Sequence, residues 1–353
     1  MEPVAAFRRQ ARSCADLGSP MYAGLLDRLV SDLEEGGPTA RVVAGHEDDP
    51  GDSALPLRLL GSVHRLVLER RAGELTLYYP SVGGTWAPDA GSSAFLRLLA
   101  EQPEDAREWL DRPPQTNEVG RAAALVGGLL HLPADEHRDV RLFEIGASGG
   151  LNLLADRFGY VDTAGERYGR RSSPVVLDDA WTSTVMPRRR VQFAERHGCD
   201  LRPVDVGTTE GRLTLTAYVW PDQVHRLERL RSALDLATEH PLDVRRLAAG
   251  DFVERITLRP STTTVLWHSV MWQYLPREEQ ERVAARIEQL GRLAEDDGSF
   301  VHLRLEPVRL RGEESPQFRV LMRTWPGGEE RVLGTAHPHG VPVRWEPGVG
   351  IPG

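Results

Sequence analysis

The sequence predicts an α/β protein, its first third mostly helical and its remainder a parallel sheet finished by an antiparallel hairpin. Three observations predict this. Up to about residue 131, apolar residues recur at helical spacing, without strand–helix alternation and without repeats. After Pro133, short apolar runs alternate with helical segments, the pattern of βα units and a parallel sheet. Near the C-terminus, Gln317–Thr324 and Glu330–Gly334 flank Trp325-Pro326-Gly327-Gly328, the pattern of a hairpin. The chain of 353 residues, 40% of them hydrophobic, is long enough for two structural units. The expected division is a helical cap or substrate region over 1–135 and a cofactor-binding α/β region over 136–353.

In the first region Phe7, Ala11, Cys14 and Leu17, then Met21, Leu25 and Leu29, mark two helices parted by Pro20, and Gly36-Gly37-Pro38 ends them. Leu55–Leu68 is a further helix, the Gly- and Pro-rich stretch Tyr79–Gly91 a loop, and Glu118–His131 another helix. The second region opens with a strand, Val140–Ile145, closed by Gly146-Ala147-Ser148-Gly149-Gly150, and a helix beginning near Leu151. The Pro- and Arg-rich stretch 159–211 reads as an insertion with weak strand signals at Val175–Leu177 and Leu201–Val206. The alternation then resumes with a strand over Leu213–Trp220, a helix over Asp222–Thr238 and a short strand over Val244–Leu247. A buried strand over Thr262–His268, an amphipathic helix over Pro276–Leu293 and a strand over Ser299–Leu305 lead to the hairpin.

Composition narrows the function classes. With 43 Lys+Arg against 52 Asp+Glu the net charge is −9, so there is no general surplus of cations to neutralise phosphates, and a nucleic-acid partner is disfavoured apart from the local run Arg188-Arg189-Arg190. Two cysteines, Cys14 and Cys199, build neither a disulfide framework nor a zinc site of several thiolates, which fits a reducing compartment. The N-terminal segment carries Arg8, Arg9 and Arg12 without a long apolar run, unlike a signal peptide, and no run approaches the roughly 20 apolar residues of a membrane span. A soluble cytoplasmic protein with a small-molecule partner is expected. His337 and His339 lack an accompanying carboxylate or cysteine cluster at an evident spacing, so no metal is assigned.

Three elements carry the chemistry. The strand ending in Glu144-Ile145-Gly146-Ala147-Ser148-Gly149-Gly150 puts small residues where a backbone must approach a ligand, and it lacks the Gly-Lys-Ser/Thr ending of a phosphate-cradling loop. A nucleoside suits it better than a nucleoside triphosphate. Asp222 follows a strand signal and precedes a helix, a place that suits a ribose-binding carboxylate or a helix N-cap equally. Asp251, after the next strand, suits an adenine amino group with Phe252 on the ring, or a turn residue beside a core aromatic. The order of the three at consecutive strand ends favours the functional reading of each.

These residues resemble those of the class I S-adenosylmethionine-dependent methyltransferases over about Val140–Trp345. The resemblance implies a Rossmann-like sheet of seven strands with a terminal hairpin. It also implies S-adenosylmethionine as cofactor, held at its methionine part by Glu144, Gly146, Ser148 and Gly150, at its ribose by Asp222 and at its adenine by Asp251 with Phe252. The insertion at 159–211 departs from the family's shorter spacing between glycine loop and second acid. More narrowly, Gln115-Thr116-Asn117-Glu118-Val119-Gly120-Arg121, Glu144–Leu153, Gly198-Cys199-Asp200-Leu201, Tyr218–Gln223 and His268–Tyr274 are similar to the bacterial DUF2332 family, across nearly the whole chain.

In the methyltransferase resemblance, the end of the fourth strand faces the donated methyl group, here Leu266–Tyr274. His268 suits a general base, or a structural histidine holding a neighbouring loop. Trp272, Gln273 and Tyr274 suit a substrate wall, with the aromatic pair alternatively covering the sheet edge. Tyr274 is grouped with His268 as a catalytic candidate. Gln115, Asn117 and Glu118, just before a helix, suit a lid over the cofactor or plain helix capping. The expectation is methyl transfer to a small molecule, with a non-catalytic binding module or, less well supported, an NAD-dependent oxidoreductase as alternatives.

Overall fold

The computed structural model describes residues 3–49, 54–132, 139–182 and 186–350, without the side chains of 295–297 and 347–350. The chain forms two compact units, one made of Met1–Thr116 with Thr208–Glu228, the other of Asn117–Gly207 with Arg229–Gly353. The division expected between residues 135 and 136 lies outside the described residues. Among the described residues no helix is long and apolar enough to cross a membrane.

The first unit is helical, as its 3.6-residue periodicity demands. Helices α1 (Pro3–Asp16), α2 (Pro20–Glu34), α3 (Pro38–Val43), α4 (Leu55–Leu68), α5 (Pro88–Glu101) and α6 (Pro103–Arg107) carry proline in their first turns, where the missing N–H is no loss. The start of α2 is fixed twice. Ser19 accepts from the Tyr22 N–H, while Asp222 accepts from the Ser19 hydroxyl at 2.7 Å and the Met21 N–H at 3.0 Å. The apolar stripes meet in a core that includes Phe7, Tyr22, Leu25, Leu59, Phe95 and Trp220.

Helix α7 (Ala122–Leu130) belongs to the second unit, and after it in the chain α8 (Thr209–Ala217) belongs again to the first. This α8 overturns the strand expected over Leu213–Trp220. Thr208 caps it by accepting from the Gly211 N–H at 3.0 Å, and Thr214 and Thr216 donate their hydroxyls back to the carbonyls of Glu210 and Arg212. Burial of Leu215 and Ala217, with α8 packed on α4, decides the helix over the β-propensity of alternating leucine and threonine.

In the second unit one sheet has nine strands rather than seven. In chain order its members are β1 (Asp139–Ile145), β5 (Trp181–Thr182), β6 (Phe193–Asp200), β7 (Val244–Arg246), β8 (Thr262–Ser269), β9 (Ser299–Val308), β10 (Gln317–Trp325), β11 (Glu329–Ala336) and β12 (Val343–Gly350). The spatial order is β7-β6-β1-β8-β9-β10-β11-β12-β5, with β7 to β9 all parallel and β10 to β12 an antiparallel meander. The expected hairpin is β10–β11, and β12 and β5 extend it. A small second sheet joins β2 (Gly159–Val161), β3 (Arg167–Gly169) and β4 (Val176–Leu177).

The stretch 159–211 is therefore more than an insertion, because β6 within it is the neighbour of β1, paired Ile145 to Cys199. The strand signal at Leu201–Val206 is misplaced, since the strand ends at Asp200. Before β7 in the chain comes α9 (Val224–Glu239), between β7 and β8 lies α10 (Ala249–Val253), and between β8 and β9 lies α11 (Arg277–Asp297). Side chains alternate across a sheet. Phe143, Ile145, Cys199 and Leu266 meet Phe252 of α10 and Val283, Ile287 and Leu290 of α11 on one face. The other face takes α7, where a Cβ on Gly128 would stand 2.8 Å from the Leu303 methyl group and force that side chain to shift.

Candidate functional site

Strand order reverses at β1, with β6 and β7 on one side and β8 and β9 on the other. At such a reversal the loops leaving the carboxyl ends part and open a crevice, the usual ligand position of open parallel sheets. Glu144, Asp200 and Ser269 stand at those ends.

Glu144 is 2% exposed, and its Oε2 has no hydrogen-bond partner. Trp267, on the paired position of β8, turns its Nε1 towards this carboxyl, and Asn152 Oδ1 is a further buried atom without a partner. Burial pushes the Glu144 carboxyl up to about 8, against the pull of Trp267, Arg121 and Asn152 nearby, while Asp200 pushes it further. Arg121 is itself held by the carbonyls of Pro338 and Ser269, at 3.2 and 3.3 Å.

The loop after β1 winds through three left-handed positions, Gly146 at φ +68°, Ser148 at +53° and Gly150 at +74°. A Cβ on Gly146 would lie 2.9 Å from Met271, and one on Gly150 2.5 Å from Val244, so both glycines are required by space as well as by φ. Asp200 fixes the loop by accepting from the Ser148 N–H at 2.9 Å and from the Arg202 N–H at 2.8 Å. Asn117 accepts from the Leu151 N–H at 2.9 Å, at the start of the 3₁₀ segment Leu151–Arg157, and Glu118 caps its own turn through the Gly120 N–H. Both are buried braces of the glycine loop.

Near the end of β8, His268 is fully buried and stacks on Trp272 with ring centroids 5.2 Å apart. Its Nδ1 lies 2.7 Å from Glu306 and its Nε2 3.0 Å from Nε2 of His302. Burial and the neighbouring His268 drive His302 well below the usual histidine range, so His302 is neutral. His268 Nδ1 donates to the Glu306 carboxylate, whose same oxygen takes the N–H groups of Met271 and Trp272. This row holds the loop in which Val270, a β-branched residue, sits at φ +52°. With both nitrogens engaged and no exposure, His268 offers a substrate no free nitrogen. The general-base reading gives way to that of a residue holding a loop.

Glu144, Gly146, Ser148, Gly150, Asn117 and Glu118 thus come together within the second unit. Asp222 lies in the first unit as the clamp on α2, because the segment before it is helix rather than sheet. Gln115 also belongs to the first unit. Asp251 is exposed and paired to Arg282 at 2.8 Å, and Phe252 is core against Phe143. Gln273 is exposed and Tyr274 is 56% exposed on a single 3₁₀ turn. Sequence reasoning passed over Asp200, Arg121, Trp267, Asn152, His302 and Glu306 as site residues. The Gly198-Cys199-Asp200 ending, small residues then an acid, was the available signal for the first.

Sheet and loop define a mixed α/β protein whose buried acid and glycine turn stand where parallel sheets bind ligands. Residues 4–345 match the family model described as an uncharacterized protein conserved in bacteria, DUF2332, and the chain belongs to that family. No curated protein matches the chain.

Proposed function

We propose that this chain is an S-adenosylmethionine-dependent methyltransferase of the class I, Rossmann-like kind, acting on a small molecule. The observation that carries the reading is Glu144, a buried carboxyl with an unpartnered oxygen behind a turn of left-handed glycines at the strand-order reversal. The residues fit the cofactor. Unpartnered oxygens of Glu144 and Asn152 suit a cationic amino group, and the left-handed turn at Gly146, Ser148 and Gly150 wraps the strand end at which that group would sit. In this reading Asp200, at the end of the strand beside β1, takes the ribose role that the sequence suggested for Asp222.

Bound there, the cofactor supplies a sulfonium-activated methyl group. The chain's part is positional: Glu144 and Asn152 hold one end, Asp200 the middle, and the loop 270–274, set by the Glu306–His268–His302 row, faces the acceptor. A second reading, a binding module without turnover, is favoured by the burial of His268, which leaves this loop without a free base.

Calorimetric titration with S-adenosylmethionine and S-adenosylhomocysteine tests the proposal. Micromolar binding that falls at least about tenfold in Asp200→Ala and persists in Asp222→Ala is expected. No binding to the folded parent, or preference for NAD, overturns it. Binding without turnover across a broad acceptor screen selects the module.

A further inference from the structure

The opposite ends of β1 and β6 from Glu144 border a second feature, a cavity of about 260 Å³ lined by Arg157, Arg170, Arg190 and Arg196 with Asp139 and Asp156. In a chain of net charge −9, four guanidinium groups around one cavity stand against the general balance. The carboxylates do not cancel them. Asp156 is committed to Arg196 at 3.1 and 3.2 Å and accepts from the Phe193 N–H at 3.1 Å, while Arg196 spends further N–H groups on the carbonyls of Leu153 and Phe193. That pair forms a neutral wall.

The other three arginines have no carboxylate within 4.0 Å among the described residues. Arg157 donates from Nη1 to His240 at 3.2 Å, and its Nε is buried without a partner. Arg170 and Arg190 are exposed. The sequence run Arg188-Arg189-Arg190 is divided by the fold, since Arg188 pairs with Glu166 and Arg189 donates to the carbonyls of Leu130 and Leu132. Only Arg190 of the three lines the cavity. Against these stands the exposed Asp139.

We propose that this cavity binds the phosphate group of a small phosphorylated metabolite. Planar guanidinium forks match the oxygen spacing of a phosphate and donate to it bidentately, and the exposed Arg170 and Arg190 side chains have no carboxylate partner among the described residues to spend those donors on. The volume lies just under the range of ordinary small-ligand pockets, which suits a phosphate monoester with a short organic remainder. The site stands apart from the glycine loop and does not depend on methyl transfer.

The test is titration of the full chain, at constant chloride, with inorganic phosphate and separately with glycerol phosphate, followed by phosphorus NMR and calorimetry. Saturable binding near or below about 1 mM is expected, weakened at least about tenfold in Arg170→Gln/Arg190→Gln with the melting temperature nearly unchanged, since both side chains are exposed. Tighter binding of the monoester identifies the organic remainder as part of the ligand, and equal binding identifies phosphate alone. The proposal fails if neither ligand saturates, if the double variant binds as the parent does, or if a single-stranded oligonucleotide binds while both small phosphates do not.

Discussion

Glu144 departs far from its behaviour in water, and its environment sets a sign that stability measurements can read. Its carboxyl titrates near 8 when folded and near 4.5 when exposed, so between those values the unfolded chain releases a proton that the folded chain keeps. Stability therefore falls as pH rises through that window, by roughly 5 kcal/mol at most. Glu144→Gln is expected to flatten this slope in urea unfolding from pH 5 to 8, and parallel curves for parent and variant would refute the assignment. His64 works in the other direction. Burial holds it at about 4, with Nδ1 donating to the Ala217 carbonyl and Nε2 accepting from Ser81. Its contribution is present above about 6.5 and is lost as pH falls toward 4. Asp222→Ala separates structure from binding: loss of two bonds at the start of α2 should cost about 1–2 kcal/mol in unfolding free energy while cofactor affinity is unchanged.

At the scale of elements, the informative contrast lies between β6 and α8. The run Leu213-Thr214-Leu215-Thr216 alternates as a strand does, yet it is helix; Phe193–Asp200 carries Glu195, Arg196 and His197 in its middle, yet it pairs with β1. Arg141 reaches across to Glu195 at 3.0 Å, and Arg196 bonds Asp156, so charged residues are tolerated in a strand whose neighbours supply counter-charges. The glycine turn, by contrast, was legible from sequence because φ and space leave no alternative residue. Gly150→Ala, strained in φ and pressed on Val244, should cost about 2 kcal/mol or more, whereas Thr208→Ala, which removes the cap of α8, should cost about 1 kcal/mol. Thermal unfolding of both variants checks the order, and a neutral Gly150→Ala would show that the turn is not fixed as described.

For the molecule as a whole, the chain leaves the first unit at residue 116 and restores 208–228 to it, a non-local arrangement that no window of sequence displays. Trp220, 7% exposed, joins the core of the helical unit through that return. Trp220→Ala should destabilise the protein by about 3–5 kcal/mol, the cost of emptying a core site, and a shift under about 1 kcal/mol would mark 208–228 as a mere connection. Sequence by itself determined the helical first third, the strands β1, β8 and β9, the terminal hairpin and the acid-and-glycine turn, because each rests on local periodicity or on backbone conformations few residues adopt. Tertiary structure alone decided that Asp200 ends the strand beside that of Glu144 while Asp222 belongs to the helical unit, that His268 is locked between Glu306 and His302, and that arginines scattered from 157 to 196 share one cavity. Those outcomes depend on which strands pair and what buries a side chain, contacts between residues far apart in the chain.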